Sequence, residues 1–227
     1  SGNSGALIAP EPVQASCGSI HGLVSCSEWT GVPVSSLLDA VGVKPSANWA
    51  IVDGADAGRM NRSIPLSKLY DDAIVALYQN GEPLRPENGY PARLFLPGWE
   101  GNTSIKWLRT LVLTDQPGYT REETSKYTDT LENGVSRKWT WAMDAKSVVT
   151  SPSPQAPIKH GKGPLVITGL AWSGNGAIKR VDVSKDGGKT WETARLAKPG
   201  EKMALTRFYL DIDWDGSDML LQSRAID

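Results

Sequence analysis

Apolar residues at Val34, Leu37, Leu38 and Val41 recur at helical spacing, with Pro33 ahead and Gly42 behind, and predict a short amphipathic helix packed on a core. Residues 49–56 read as a strand running into a loop. Residues 73–78 alternate up to Asn80-Gly81, the strongest short hairpin signal in the chain. Residues 92–96 form a brief apolar run with the character of a buried strand, and Pro91, Pro97, Gly98 and Gly101 mark sharp changes of direction around it. Beyond Leu113 the chain becomes polar, and residues 120–127 could pass for an exposed helical face. Residues 148–157, with Ser151-Pro152-Ser153-Pro154 and Pro157, have the composition of a stiff connector close to a domain boundary. After them come strand signals at 165–173, 178–183 and 191–196. Turns follow at Asp186-Gly187-Gly188 and Asp215-Gly216, and Phe208, Leu210, Ile212 and Trp214 alternate with polar residues. The pattern predicts an α+β domain over residues 1–144 and an immunoglobulin-like β-sandwich over 145–227.

Composition narrows the function classes. The 227 residues, 40% hydrophobic and 22% charged, describe an ordinary globular chain able to bury one large core or two smaller ones. With 24 basic against 25 acidic side chains there is no basic field for nucleic acid. No stretch approaches the roughly 20 apolar residues of a membrane-spanning helix, so membrane insertion is not expected. Ser1-Gly2-Asn3-Ser4-Gly5 opens without an initiator Met and Arg224-Ala225-Ile226-Asp227 ends within a strand-like run, so both ends read as cut from a longer protein. There is no internal repeat or low-complexity tract.

Cys17 and Cys26 lack the following His of a haem-attachment motif, and with His21 and His160 they make a poor zinc set. They read as two small core residues, with a disulfide between them as the alternative. The chemistry is densest at residues 88–108, where Arg93 and Lys106 flank the short apolar run. An Arg inside a buried strand either pairs with a carboxylate or reaches a pocket, and a Gly/Pro-bent loop carrying two cations suits an anion.

This run, Gly89-Tyr90-Pro91-Ala92-Arg93 with Pro97-Gly98 and Lys106-Trp107-Leu108, resembles the molybdopterin-binding core of the sulfite oxidase family. Pro97-Gly98-Trp99-Glu100-Gly101-Asn102 and Ser25-Cys26-Ser27-Glu28-Trp29-Thr30-Gly31-Val32 add a likeness to the molybdenum subunits of bacterial sulfane dehydrogenases. The resemblance runs from Ser1 to Asp227, with Ser63-Ile64-Pro65-Leu66 as scaffold. It implies the molybdenum cofactor, with Asp56, Asn88, Arg93, Ser104, Ile105 and Lys106 as cofactor-binding residues. Asn88 stands where animal sulfite oxidases carry a His; an amide hydrogen-bonds but cannot become cationic. The family's active-site Tyr aligns with Tyr127 and its substrate-side Arg with Arg207. The family's metal-ligating Cys would precede Ser1, so no residue of this chain is expected to ligate metal. Gly169-Leu170-Ala171-Trp172-Ser173-Gly174 and residues 181–191 resemble the family's dimerisation domain.

The implied activity is a molybdenum-dependent oxo-transfer dehydrogenase acting on sulfane sulfur held by a carrier protein, with homodimerisation through the C-terminal domain. Electrons would pass to a separate redox centre, a c-type cytochrome subunit, and the compartment would be the periplasm. A sulfite dehydrogenase is the competing enzyme reading. Against it stands Gly5, where the animal enzymes carry an Arg. An inactive dimerisation or binding module is the non-enzyme alternative.

Overall fold

The computed structural model describes residues 22–125, 127–198 and 200–227. From Ser27 onward the chain divides into two compact units, Ser27–Ala142 and Met143–Asp227.

In the first unit, strand β1 (Trp29–Pro33) leads into helix α1 (Val34–Val41), and β2 (Trp49–Gly54) and β3 (Asn61–Pro65) follow before α2 (Leu66–Asp71). Strand β4 (Ile74–Gln79) turns tightly into β5 (Glu82–Pro83), and β6 (Arg93–Phe95), β7 (Leu108–Thr114) and α3 (Arg121–Ser125) complete the main elements. A small ribbon of β8 (Asp129–Thr130) and β9 (Ser136–Arg137) ends the unit. One sheet has the order β1-β4-β5, with β6 also paired to β4; the other is β3-β2-β7. The predicted hairpin is present, with Asn80 and Gly81 both at positive φ as that tight turn demands. Strand β2 buries alternate residues, Ala50 and Val52, against Ile64, Leu69, Leu94, Leu96 and Ile105. Helix α1 contributes Val34 and Leu38 and stops at Gly42, which takes positive φ. Its stripe is only half covered, for Leu37 is 45% and Val41 75% exposed.

In the second unit, β10 (Lys146–Ser151), β11 (Gly163–Trp172), β15 (Thr206–Trp214) and β14 (Arg195–Leu196) form one sheet in that order. The facing sheet is β13 (Glu192–Thr193), β12 (Arg180–Ser184) and β16 (Gln222–Ile226). Ile167, Phe208 and Leu210 meet Val181 and Val183 between them, the sandwich that the alternation predicts. The Asp186 turn is held by its own carboxylate. That group accepts bonds from the Thr190 hydroxyl and amide, the Ser184 hydroxyl and the Lys189 amide, which keep it below the usual carboxylate range.

Three expectations are corrected. The residues read as a connector begin inside β10, because Val148, Val149 and Thr150 favour a pleated strand, and Val148, Val149 and, past a bulge at Thr150, Ser151 pair with β11 before Pro152 ends it. Helix α3 is not an exposed face: Glu122 and Glu123 are buried, and Glu123 is matched to a buried cation. Cys26 is a free, exposed thiol rather than a core residue or half of a disulfide, since the stretch around it forms no regular element that could bury it. Cys17 lies outside the described residues.

Gly169 of β11 faces the centre of the sandwich, where a Cβ would overlap the Phe208 ring and the Val148 carbonyl. Gly169→Ala is therefore expected to destabilise the protein by about 1–3 kcal/mol through overpacking. Urea-denaturation midpoints at unchanged slope would measure it, and an unchanged midpoint would mean the sheets separate without strain.

Candidate functional site

The site grows out of the loop between β5 and β6. A single 3-10 turn (Pro86–Asn88) ends at Gly89, whose φ is +108°, and the Tyr90–Pro91 peptide is cis. A Cβ on Gly89 would lie 3.1 Å from the Lys106 backbone and 3.2 Å from the Arg93 Cβ. Glycine thus lets this turn press against the segment after Ser104. That segment runs beside β6: the Leu94 amide donates to the Ile105 carbonyl, the Leu108 amide to the Ala92 carbonyl, and the Leu96 amide to the Ser104 hydroxyl. Ser104 and Ile105 are buried as a result.

Arg93 sits between these two segments and is only 8% exposed. Its Nη1 donates to the Asn88 carbonyl at 3.1 Å and its Nη2 to the Ser104 carbonyl at 3.0 Å. The guanidinium lies 4.8 Å from the centre of the Trp29 ring, which itself stacks on Phe95. Among the described residues no carboxylate pairs with Arg93, and its buried Nε has no partner. Burial lowers its pKa to about 10. Sequence left a choice between an ion pair and a pocket-facing cation; the geometry gives a cation held by carbonyl dipoles, with its charge uncompensated. Lys106 adds a second charge on the exposed side, donating to the Glu87 carbonyl at 2.7 Å and lying 5.7 Å from the Trp107 ring centre.

Trp107 has a φ of +51°, a strained conformation for a bulky residue. Its carbonyl accepts the Ala55 amide at 2.8 Å and so ties the Lys106 segment to the loop after β2. There Asp56 Oδ1 accepts the Met60 amide at 3.2 Å. A cleft of about 450 Å³ opens between Ala55, Asp56, Pro91, Trp107 and Leu108. A second, polar cleft of about 360 Å³ is lined by Gln79, Asn80, Glu82, Pro83, Arg85 and Asn88. The Asn88 amide donates to Gln79 Oε1, whose own amide reaches Ser27 Oγ. The fold thus bonds Arg93 directly to Asn88 and Ser104, with Ile105 and Lys106 on the adjoining segment, and Asp56 joins them through Trp107.

Tyr127 lies against a pair that sequence reasoning missed. Arg62 of β3 and Glu123 of α3 are both wholly buried, with Nε–Oε1 at 2.8 Å and Nη2–Oε2 at 3.3 Å. Glu123 also accepts the Ser63 amide at 3.1 Å. The Arg62 guanidinium carbon is 5.0 Å from the centre of the Tyr127 ring, and Arg62 Nη1 is buried without a partner. The only local signal for such a pair was an Arg inside a strand and two Glu in a short helix. Arg207 is in the other unit, on β15 opposite Leu170, with its side chain exposed. Among the described residues no group of three or more His, Cys, Asp or Glu could hold a metal ion.

Comparison with known proteins matches residues 2–122 to the oxidoreductase molybdopterin binding domain and residues 137–227 to the Mo-co oxidoreductase dimerisation domain. The mitochondrial sulfite oxidase of Drosophila melanogaster is 32% identical over 211 residues, which is 83% of this chain and 36% of that protein. A nitrate reductase [NADH] 2 of Phaseolus vulgaris is 28% identical, over 84% of this chain and 25% of that protein. The crystal structure of the sulfane dehydrogenase SoxCD from Paracoccus pantotrophus superposes with a TM-score of 0.94 at 57% identity, over 100% of this chain and 58% of that chain. The chain thus spans between a quarter and three fifths of the length of these relatives. A molybdopterin-binding domain followed by its dimerisation domain, on the fold that carries both, places the chain in the sulfite oxidase family of molybdopterin oxidoreductases.

Proposed function

We propose that the complete protein is a molybdenum-dependent sulfane dehydrogenase that oxidises sulfane sulfur presented by a carrier protein. The observation that carries the cofactor part is Arg93, a buried guanidinium with an unpartnered Nε and no carboxylate partner among the described residues. Such a group is costly unless an anion completes it, and the phosphate of a pterin cofactor has the charge and lone pairs to do so. Lys106 would add charge on the exposed side, and Ser104 and Ile105 would offer main-chain groups. Asp56 would accept hydrogen bonds from the pterin ring and Asn88 would supply an amide. Bound there, the cofactor supplies two-electron redox and oxygen-transfer chemistry. The likeness to SoxCD, at 57% identity over the whole chain, supports sulfane sulfur as the substrate class.

In this reading the chain's own groups position, screen and move protons. Tyr127 presents a phenol that donates to, or accepts a proton from, the reacting sulfur compound. Arg207, exposed and without a carboxylate partner among the described residues, would hold anionic oxygen of substrate or product. The half-buried amide of Asn88, uncharged where a His could be cationic, and Gly5 in place of an Arg both lower the fixed positive charge. That suits a sulfur atom carried on a protein better than a small dianion such as sulfite. A c-type cytochrome subunit would take the electrons, the C-terminal unit would join two copies, and the periplasm is the compartment these partners imply. Among the described residues no helix is long and apolar enough to cross a membrane.

Arg93→Met in the complete protein should lower bound pterin by tenfold or more, because charge-assisted bonds of about 1.5–3 kcal/mol are lost. The apoprotein's melting temperature should hold or rise, since an uncompensated buried cation is replaced by an apolar chain. Pterin content per folded protein and calorimetry check both; retained pterin with a lowered melting temperature would make Arg93 structural.

The pH dependence follows from the same group. Its folded-state pKa of about 10 lies below the unfolded value, so Arg93 stays charged at neutral pH and begins to lose its proton as pH rises through about 10. Between those values the unfolded chain binds more protons, so this group's contribution makes the apoprotein gain stability with rising pH while anion capture weakens. Pterin retention is expected to be flat from about pH 6 to 9 and to decline near pH 10. Equilibrium dialysis across that range measures it.

Tyr127→Phe should lower turnover by on the order of 10²-fold or more, the usual contribution of a proton-handling group, with little change in melting temperature. Steady-state kinetics on persulfide-loaded carrier and on sulfite, at matched cofactor occupancy, test this; wild-type turnover would remove Tyr127 from the reaction.

A further inference from the structure

Helix α3 has five residues, too short to hold itself in place, yet it carries two buried glutamates. What fixes it is a seam of bonds to β3. Ser63 Oγ donates to the Gly118 carbonyl at 2.9 Å and accepts the Gly118 amide at 2.7 Å. Thr120 Oγ1 donates to the Asn61 carbonyl at 3.3 Å. At the centre is the bidentate pair of Arg62 with Glu123. From that anchored turn the chain reaches Tyr127, whose amide donates to the Glu122 carbonyl at 3.0 Å.

Arg62 acts in two directions at once. Two of its nitrogens bind the Glu123 carboxylate, while its guanidinium carbon lies 5.0 Å from the Tyr127 ring centre. A planar, delocalised cation can grip a carboxylate with two nitrogens while its face contacts an aromatic ring, and an ammonium, a point charge, has no such fork. Isolated burial of such a pair gives little net stability over an apolar replacement, so stability alone is a poor account of it.

We propose that Arg62 and Glu123 are positioning residues that hold the Tyr127 ring in its working orientation. The inference rests on the assignment of Tyr127 to the reaction. It adds that the phenol's direction is set from outside the cofactor loop, by an ion pair joining β3 to α3. Arg62 touches neither substrate nor cofactor and acts through the ring alone.

The test uses the complete holoenzyme as wild type, Arg62→Lys, Glu123→Gln, Tyr127→Phe and the double variant Arg62→Lys/Tyr127→Phe. Turnover is measured together with ¹⁹F NMR of 3-fluorotyrosine-labelled protein, the Tyr127 resonance being assigned by its loss in Tyr127→Phe. In wild type a single Tyr127 resonance, distinct from that of an exposed tyrosine, is expected. It should move toward the exposed position in Arg62→Lys and Glu123→Gln. Turnover in Arg62→Lys should fall on the order of 10²-fold at nearly constant KM, the scale of a misplaced reacting group. The double variant should be no slower than Tyr127→Phe alone, within about twofold, because the two residues act as one unit. A Tyr127 resonance in wild type already at the exposed position overturns the proposal whether or not the variants fold. So do multiplicative losses in the double variant, or a resonance unmoved in both single variants. If Tyr127→Phe keeps full turnover, the role of Tyr127 in the reaction fails instead, and the resonance still reports whether Arg62 holds the ring.

Discussion

Placing a guanidinium inside a protein without a matching carboxylate is the constraint on which the first unit is organised. Arg93 loses water on entering the strand and recovers only the dipoles of two carbonyls and one ring face. Everything around it serves that placement. Gly89 lets the two carbonyl-bearing segments close on it, Leu94 and Leu96 seat its strand in the core, and Trp107 ties the far segment to the Asp56 loop.

The same unit buries a second guanidinium in the opposite manner. Arg62 is closed off by Glu123 and the charge is settled within the protein, whereas Arg93 keeps its charge available. On the proposed function, the contrast separates two uses of one side chain: internal registration of a loop against a sheet, and capture of something from outside. Arg62 stands on β3 of one sheet and Arg93 on β6 of the other, so each guanidinium is seated on a strand of the first unit.

Much of this was legible from residue order where the signal was local. The Asn80-Gly81 turn, the α1 periodicity and the alternation along β15 are short-range patterns, and each forms as read. Arg93 was visible as a charge in an apolar run, but whether it met a carboxylate depended on chain far away in sequence. The pairing of Arg62 with Glu123 was not legible, since their partnership spans 61 positions and no periodicity records it. The polar look of residues 120–127 misled for the same reason: glutamates paired inside look identical in sequence to glutamates facing water. Residues 148–151 misled differently, because the prolines beside them outweighed a β-branched run that the sheet then recruited. Tyr127 carried no signal of its own and stood out only through family likeness.

The atoms that hold Arg93 belong to the main chain of Asn88 and Ser104, not to their side chains. Main-chain oxygens do not change when a residue is replaced. The anchor is therefore insulated from drift at those two positions, and position 88 in particular can exchange one hydrogen-bonding group for another while the cation beneath it stays put. On the proposed function, a lineage could retune substrate preference by altering such rim residues, without first having to rebuild the foundation beneath them.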